Sequence, residues 1–329
     1  MRLAICREGG GLGDVLRCAA VARKLQKAGW QVDAFTLSYY APFAEMVAGV
    51  DKAWPIPTSI RWNNRYERKA NWEEGVRERE YFARGGRRDK YVNMFCPGWD
   101  HEVETKGRPT KDRLDCFFAA AGLPVSEAEC QFIGITREQY GFGRGMIAAA
   151  RVDTRRPVVM LQPHATCRAR TWPLEKWKEL ADVLKAGGLE PVFVGLCKVA
   201  GTNVPQLVEL QQEHLAYAAS AADVMVTADS GMLHMAAAVR TPSVSVFGPT
   251  DGRLICKHYP DALVVQAEPV EREGGCTAPC HYQRAVGWDA DVCRQAGCPG
   301  LVNLPVGPAI RAILAQVNRP DSRGRAGQL

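Results

Sequence analysis

Between Val224 and Thr250 the chain reads VMVTADSGMLHMAAAVRTPSVSVFGPT, and the residues that could do chemistry sit at its two breaks. The first break, Asp229-Ser230-Gly231, follows a short apolar run and precedes a stretch with Met232, Met235, Ala236 and Val239 three or four apart. That spacing predicts a strand entering a helix, with Ser230 or Asp229 as the cap. The second break, Gly248-Pro249-Thr250, ends another apolar run, Ser243 to Phe247. A helix N-terminus offers free N–H groups and a partial positive charge, so this βαβ unit is fitted to hold an anion such as a phosphate. His234 falls one turn into the helix, on a side that could face the same ligand.

A second polar segment has the same character. After the apolar run Val158 to Leu161 comes Gln162-Pro163-His164-Ala165-Thr166-Cys167-Arg168-Ala169-Arg170-Thr171-Trp172-Pro173. Thr166 can give a hydroxyl to a phosphate oxygen, and Arg168 and Arg170 can give charge-assisted hydrogen bonds. There is no GK[ST] and no glycine cradle, which argues against a nucleoside-triphosphate hydrolase. Left alone, the segment is a solvated basic loop; beside the Asp229 turn it reads as a second phosphate contact.

Near the start, the strand Leu3 to Cys6 runs into Gly9-Gly10-Gly11-Leu12-Gly13-Asp14. Counted from Gly9 or Gly11, the third glycine of GxGxxG falls on Asp14 or Leu16, so the dinucleotide fingerprint fails, although Asp33 lies near its expected acidic position. Asp14 has two readings. It can be a carboxylate favoured at a helix start, or a general base at the mouth of a cleft.

These residues need strands and helices to hold them. The helix after Gly13 carries Val15, Ala19, Ala22 and Leu25 on one face and stops at Ala28-Gly29; a strand at Gln31 to Thr36 follows. Tyr91 to Phe95 is expected as a strand and Lys111 to Ala121 as a helix. The polar stretch Arg151 to Pro157 is expected to join two domains. After it, a helix from Leu174 to Lys185 and a strand from Pro191 to Val194 continue the alternation, and a helix from Pro308 to Val317 closes it. The expected fold class is α/β, with domains at residues 1–153 and 154–317 and a disordered tail at 318–329.

Composition sets the bounds. The 329 residues suffice for two cores. An apolar share of 47% and a charged share of 24% are those of a globular protein without a membrane span. The N-terminus shows no signal-peptide core, so a cytosolic location is expected. A formal charge of +6 fits a polyanionic partner without demanding one. Arg61 to Lys90 concentrates ten basic and six acidic side chains.

Taken together, HATCRARTWPLEKWKEL, ADSGMLHMAAAVRTPSVSVFGPTD and GLGDVLRCAAVARKL resemble glycosyltransferase family 9, the ADP-heptose:lipopolysaccharide heptosyltransferases. The resemblance covers Leu3 to about Val317. It implies a GT-B fold, two Rossmann-like domains facing each other across a cleft, with the acceptor in the N-terminal one and the nucleotide-sugar in the C-terminal one. It implies an inverting, metal-independent transfer of a sugar, heptose from ADP-heptose, onto a lipopolysaccharide core or related glycan. No cofactor is required. By position, Asp14 becomes the base that takes the acceptor proton. The donor falls to Thr166, Cys167, Arg168, Arg170, Asp229, Ser230, Gly231, His234, Gly248, Pro249 and Thr250. Gly11, Gly13, Arg61 and Arg65 are assigned to the acceptor, an anionic glycan or glycolipid, with peripheral contact at the inner membrane face. Cys167 departs from the pattern: many members carry a second threonine there. The insert from Asn64 to Arg88 matches no motif of the family.

Cys276-x3-Cys280 and Cys293-x4-Cys298, with His281 adjacent, have the composition of a structural zinc or iron–sulfur site. Free or reversibly oxidised thiols are the alternative, since the usual spacing is Cys-x2-Cys and the transfer chemistry needs no metal. Two other functions compete with the enzyme. One is a nucleotide-sugar-binding protein without catalysis. The other is a single-stranded nucleic-acid binder that stacks bases on Trp62, Tyr66 and Trp72; the six acidic residues of that segment argue against nucleic acid.

Overall fold

The computed structural model describes residues 1–6, 11–37, 40–46, 50–56, 88–94, 96–105, 109–125, 133–270, 279–280 and 297–320. The chain forms two compact units, Met1–His101 with Arg113–Ala128 and Glu102–Asp112 with Glu129–Leu329. Each has its own apolar core.

The first unit is built on four parallel strands, β1 (Arg2–Cys6), β2 (Gln31–Leu37), β3 (Lys52–Ile56) and β4 (Lys90–Asn93), in the order β3-β2-β1-β4. Helix α1 (Leu12–Lys27) follows β1, and Gly29 ends it in the left-handed conformation at φ +86°. That is the cap for which glycine is favoured. The expected face of Val15, Ala19, Ala22 and Leu25 is buried, and so are Leu16, Ala20 and Val21. The extra burial has a cause: besides the sheet, α1 meets α2 (Ala41–Met46) and α4 (Arg113–Ala121). Helix α3 (Cys96–Glu104) precedes α4.

Asp33 settles the dinucleotide question locally. It is fully buried, with Arg88 Nε at 2.8 Å and Nη2 at 2.6 Å and Arg2 Nη2 at 2.9 Å. Arg88 is equally buried and lies over the rings of Phe35 and Trp54, 4.9 and 5.5 Å from their centroids. A carboxylate held this way ties Arg88, two residues before β4, to the sheet and is not presented to a ribose.

In the second unit, six parallel strands run in the order β10-β9-β8-β5-β6-β7. They are β5 (Val158–Gln162), β6 (Glu190–Gly195), β7 (Gln206–Val208), β8 (Val224–Ala228), β9 (Ser243–Phe247) and β10 (Ala262–Gln266). Numbered within the unit this is 3-2-1-4-5-6 read from the far edge, the doubly wound order. The strands β5, β8 and β9 are buried at every position, as expected of parallel strands covered on both faces. Helix α6 (Leu174–Ala186) buries Trp177, Leu180, Ala181 and Leu184 and ends at Gly188, φ +82°. Helix α7 (Gln212–Ala221) precedes β8, and α8 (Gly231–Ala238) connects β8 to β9. Short α9 (Gly252–Ile255), α10 (Pro299–Asn303) and α11 (Gly307–Val317) complete the unit.

The join expected at residues 153/154 lies inside this unit. Helix α5 (Arg137–Ala149) packs on α7, where a Cβ added at Gly143 would sit 2.1 Å from the Tyr217 carbonyl oxygen. Arg151 to Pro157 is a turn within one body, with Arg151 at φ +66°. Of the expected tail, only Asn318 to Pro320 falls within the described residues. No helix among the described residues is long and apolar enough to cross a membrane.

Candidate functional site

In a doubly wound sheet, ligands bind beyond the carboxyl ends of the strands, where the crossovers diverge. In the second unit that point lies between β5 and β8, which pair in parallel from Val159–Val224 to Gln162–Thr227. Both polar segments leave the sheet there. Gln162, the last residue of β5, accepts a 2.7 Å hydrogen bond from Ser230 Oγ, which in turn accepts from the Met232 N–H at 3.3 Å. Ser230 is therefore the cap of α8 and a tie between the two loops at once. Asp229, just before it, points elsewhere.

The Asp229 carboxylate is 6% exposed. Its Oδ2 accepts from Thr250 Oγ1 at 2.5 Å and lies 3.6 Å from Arg170 Nη1. Arg170 also donates from Nη2 to the Thr166 hydroxyl. Thr166, Arg170, Asp229 and Thr250 thus form one chain of contacts across three loops of a single sheet edge. Arg170 Nε is buried without a hydrogen-bond partner, a donor in surplus at a place where an anion would be welcome. Thr166 and Arg168 are exposed and Cys167 is half-buried. A short 3-10 turn, Arg168–Arg170, aims these side chains; it rests on buried Ala169 and on Trp172, whose Nε1 donates to the Leu304 carbonyl at 3.1 Å.

The third loop is set from below. At Gly248 a Cβ would lie 2.6 Å from Leu301 Cδ1 and 3.1 Å from Cys298 Sγ, so glycine admits α10 against the end of β9. Gly248, Pro249 and Thr250 are all buried. Gln266 holds the turn by donating to the Gly248 carbonyl at 2.9 Å and accepting from the Gly252 N–H at 3.0 Å. His234 is 8% exposed and its Nδ1 is 2.5 Å from the Tyr259 hydroxyl, with the rings edge to face at 5.5 Å. That contact braces the second turn of α8 against the chain that follows α9.

In the first unit the strand order reverses between β1 and β4, and α1 starts at that point. Gly11 is the extended N-cap, φ −98°, and its carbonyl accepts from the Asp14 N–H at 3.0 Å. Asp14 is 7% exposed, with Arg113 Nη1 at 3.1 Å from Oδ1 and 3.4 Å from Oδ2. Gly13 is buried in the same turn. Arg61 and Arg65 lie outside the described residues, as do Cys276 and Cys293. Cys298 is 3% exposed and packs in the core of the second unit.

Gln162, Tyr259 and Arg113 were not singled out from sequence. Gln162 left one trace, a polar residue ending an apolar strand. Arg113 left none, because 99 positions separate it from Asp14.

Comparison with known proteins gives the same picture. Residues 85–273 match the family model described as glycosyltransferase family 9 (heptosyltransferase). Lipopolysaccharide heptosyltransferase 1 of Escherichia coli strain K12 is 27% identical over 143 residues, which are 40% of this chain and 44% of that relative. The chain thus matches less than half the length of this curated relative. Among solved structures, Escherichia coli ADP-heptose LPS heptosyltransferase II aligns over 96% of this chain and 98% of its own, with TM-score 0.67 and 16% identity. The bacterial iron-containing dodecameric glycosyltransferase TibC, from enterotoxigenic Escherichia coli H10407, aligns over 99% of this chain and 76% of its own, with TM-score 0.53 and 14% identity. The fold is the α/β GT-B fold. The chain belongs to glycosyltransferase family 9, the heptosyltransferase family.

Proposed function

We propose that this protein transfers heptose from ADP-heptose to a lipopolysaccharide-core or related glycan acceptor, by an inverting displacement that needs no metal. The observation that carries the reading is the Thr166–Arg170–Asp229–Thr250 chain of contacts, beside the Ser230–Gln162 tie, at the switch point of the second sheet. In the displacement an acceptor hydroxyl oxygen bonds to the anomeric carbon as the bond from that carbon to the diphosphate breaks. Asp14 takes the hydroxyl proton. The diphosphate leaves with a growing negative charge, which Arg168, Arg170 and the positive N-terminal end of the α8 dipole oppose where it develops. Thr166 adds a hydroxyl to the same oxygens. Asp229 keeps Arg170 in place, and Thr250 and His234 act through the loops they brace. Gly11, Gly13, Arg61 and Arg65 serve the acceptor, an anionic glycolipid that brings the protein to the inner membrane surface. Nucleic acid has no part in this reading.

A thermal-shift screen of ADP, UDP and GDP tests the donor assignment, since a ligand stabilises only as it binds the folded state. ADP raises the melting temperature most; an equal or larger shift with UDP or GDP overturns the choice of donor. The metal assignment is tested separately, because one relative of this fold is described as iron-containing. Turnover persists after dialysis against a chelator, and abolition of turnover that added metal restores would refute metal independence.

A further inference from the structure

We propose that Arg113 is the positioning residue of the Asp14 carboxylate, an inference that rests on the reading of Asp14 as the acceptor base. An acidic side chain in the first turn of a helix is favoured there by the backbone alone. It needs no partner from elsewhere. Yet α4 begins with an arginine whose Nη1 reaches both oxygens, at 3.1 and 3.4 Å. The two side chains are only 22% and 8% exposed, so the pair is largely withdrawn from water, where its attraction is less screened than at the surface.

One nitrogen shared between both oxygens has a specific consequence. It holds the carboxylate by both of its oxygens and so fixes the plane in which the group is presented.

A third element makes room for this arrangement. Gly98, on α3, is buried, and a Cβ there would sit 3.0 Å from Arg113 Cγ, 3.5 Å from Cδ and 3.6 Å from Cβ. Any side chain at residue 98 would press on the stem that carries the guanidinium. Asp14, Arg113 and Gly98, all in the first unit, thus come from three helices, with Gly98 packed on the stem of the arginine that holds the carboxylate.

The experiment is steady-state kinetics with ADP-heptose and heptose-free lipopolysaccharide core, on the full chain and on Asp14→Asn, Arg113→Ala, Arg113→Lys, Gly98→Ala and the Asp14→Asn/Arg113→Ala double variant. Arg113→Ala lowers kcat by about 10- to 100-fold, the scale of loss for a catalytic group misplaced by an ångström, and leaves the donor KM unchanged. Arg113→Lys and Gly98→Ala fall between it and the parent. Millimolar guanidinium restores part of the Arg113→Ala rate and none of the Asp14→Asn rate. The double variant is no slower than Asp14→Asn alone, because residues acting as a unit are not additive. Parental kcat in Arg113→Ala, a loss confined to the acceptor KM, or full additivity in the double variant overturns the proposal. Parental turnover in Asp14→Asn defeats the base assignment itself, whereas an inactive Asp14→Asn beside a fully active Arg113→Ala defeats only the positioning role. Arg113→Lys, which keeps charge and bulk, supplies the comparison if the alanine variant does not fold.

Discussion

At the scale of single residues, the site depends on side chains that hold other side chains. Thr250 is the clearest case. Its hydroxyl is buried and donates to Asp229 Oδ2, the same oxygen that lies near Arg170. Thr250→Val keeps the shape and removes the donor, so Asp229 is free to draw Arg170 further from the position in which it would meet a phosphate. A net hydrogen bond of about 0.5–1.5 kcal/mol corresponds to ADP binding weakened by about 2- to 12-fold. Isothermal titration of the valine variant with ADP checks this. An unchanged Kd alongside a lower melting temperature would make Thr250 a structural brace with no influence on the ligand. The sequence placed Thr166, Arg170, Asp229 and Thr250 within reach of one ligand, because each follows an apolar strand. It could not say that Thr250 addresses Asp229, since which hydroxyl meets which carboxylate depends on how three loops pack.

Among the elements, those with a strong period or a marked end were legible. Helix α6 has its apolar face at Trp177, Leu180, Ala181 and Leu184 and a left-handed glycine after it, and β8, α8 and β9 have capped or glycine-bearing ends. Strand β7 is three residues long, and β3 carries a proline inside it, Pro55, so neither offers a local pattern. Helix α5 misled the placement of the join, because the basic turn after it looks like a linker whichever body the helix belongs to. Its glycines hold the answer. Gly143 lies against the Tyr217 carbonyl with no room for a Cβ, whereas Gly141 and Gly145 face open space. Gly143→Ala therefore destabilises by about 1–3 kcal/mol as α5 and α7 are forced apart. Gly145→Ala, in the same helix, stabilises by about 0.5–1 kcal/mol through helix propensity alone. Urea unfolding of the two variants checks the contrast. Equal effects would mean that α5 does not rest on α7 as described.

For the whole molecule, the decisive property is that two units carry separate cores and separate halves of the proposed chemistry. The cluster around Val159, Leu161, Trp172 and Val226 belongs wholly to the second unit, and that around Leu3, Val21, Phe117 and Phe118 wholly to the first. Bodies with independent cores need not melt together, and a single two-state transition is not expected of them. The proposed diphosphate contacts all lie in the second unit, so ADP binds a folded form of that unit and gives nothing to the first. At a ligand concentration of 100 Kd the linkage is worth about 2.7 kcal/mol. Calorimetry of the full chain then shows two transitions, and ADP moves one of them upward while the other stays in place. Hydrogen exchange identifies which: amides of β5, β8 and α8 gain protection with ADP, and those of β1, β2 and α1 do not. Protection spread evenly over both sheets would show that ADP engages both units, and the donor would then have to be placed on residues of the first unit as well.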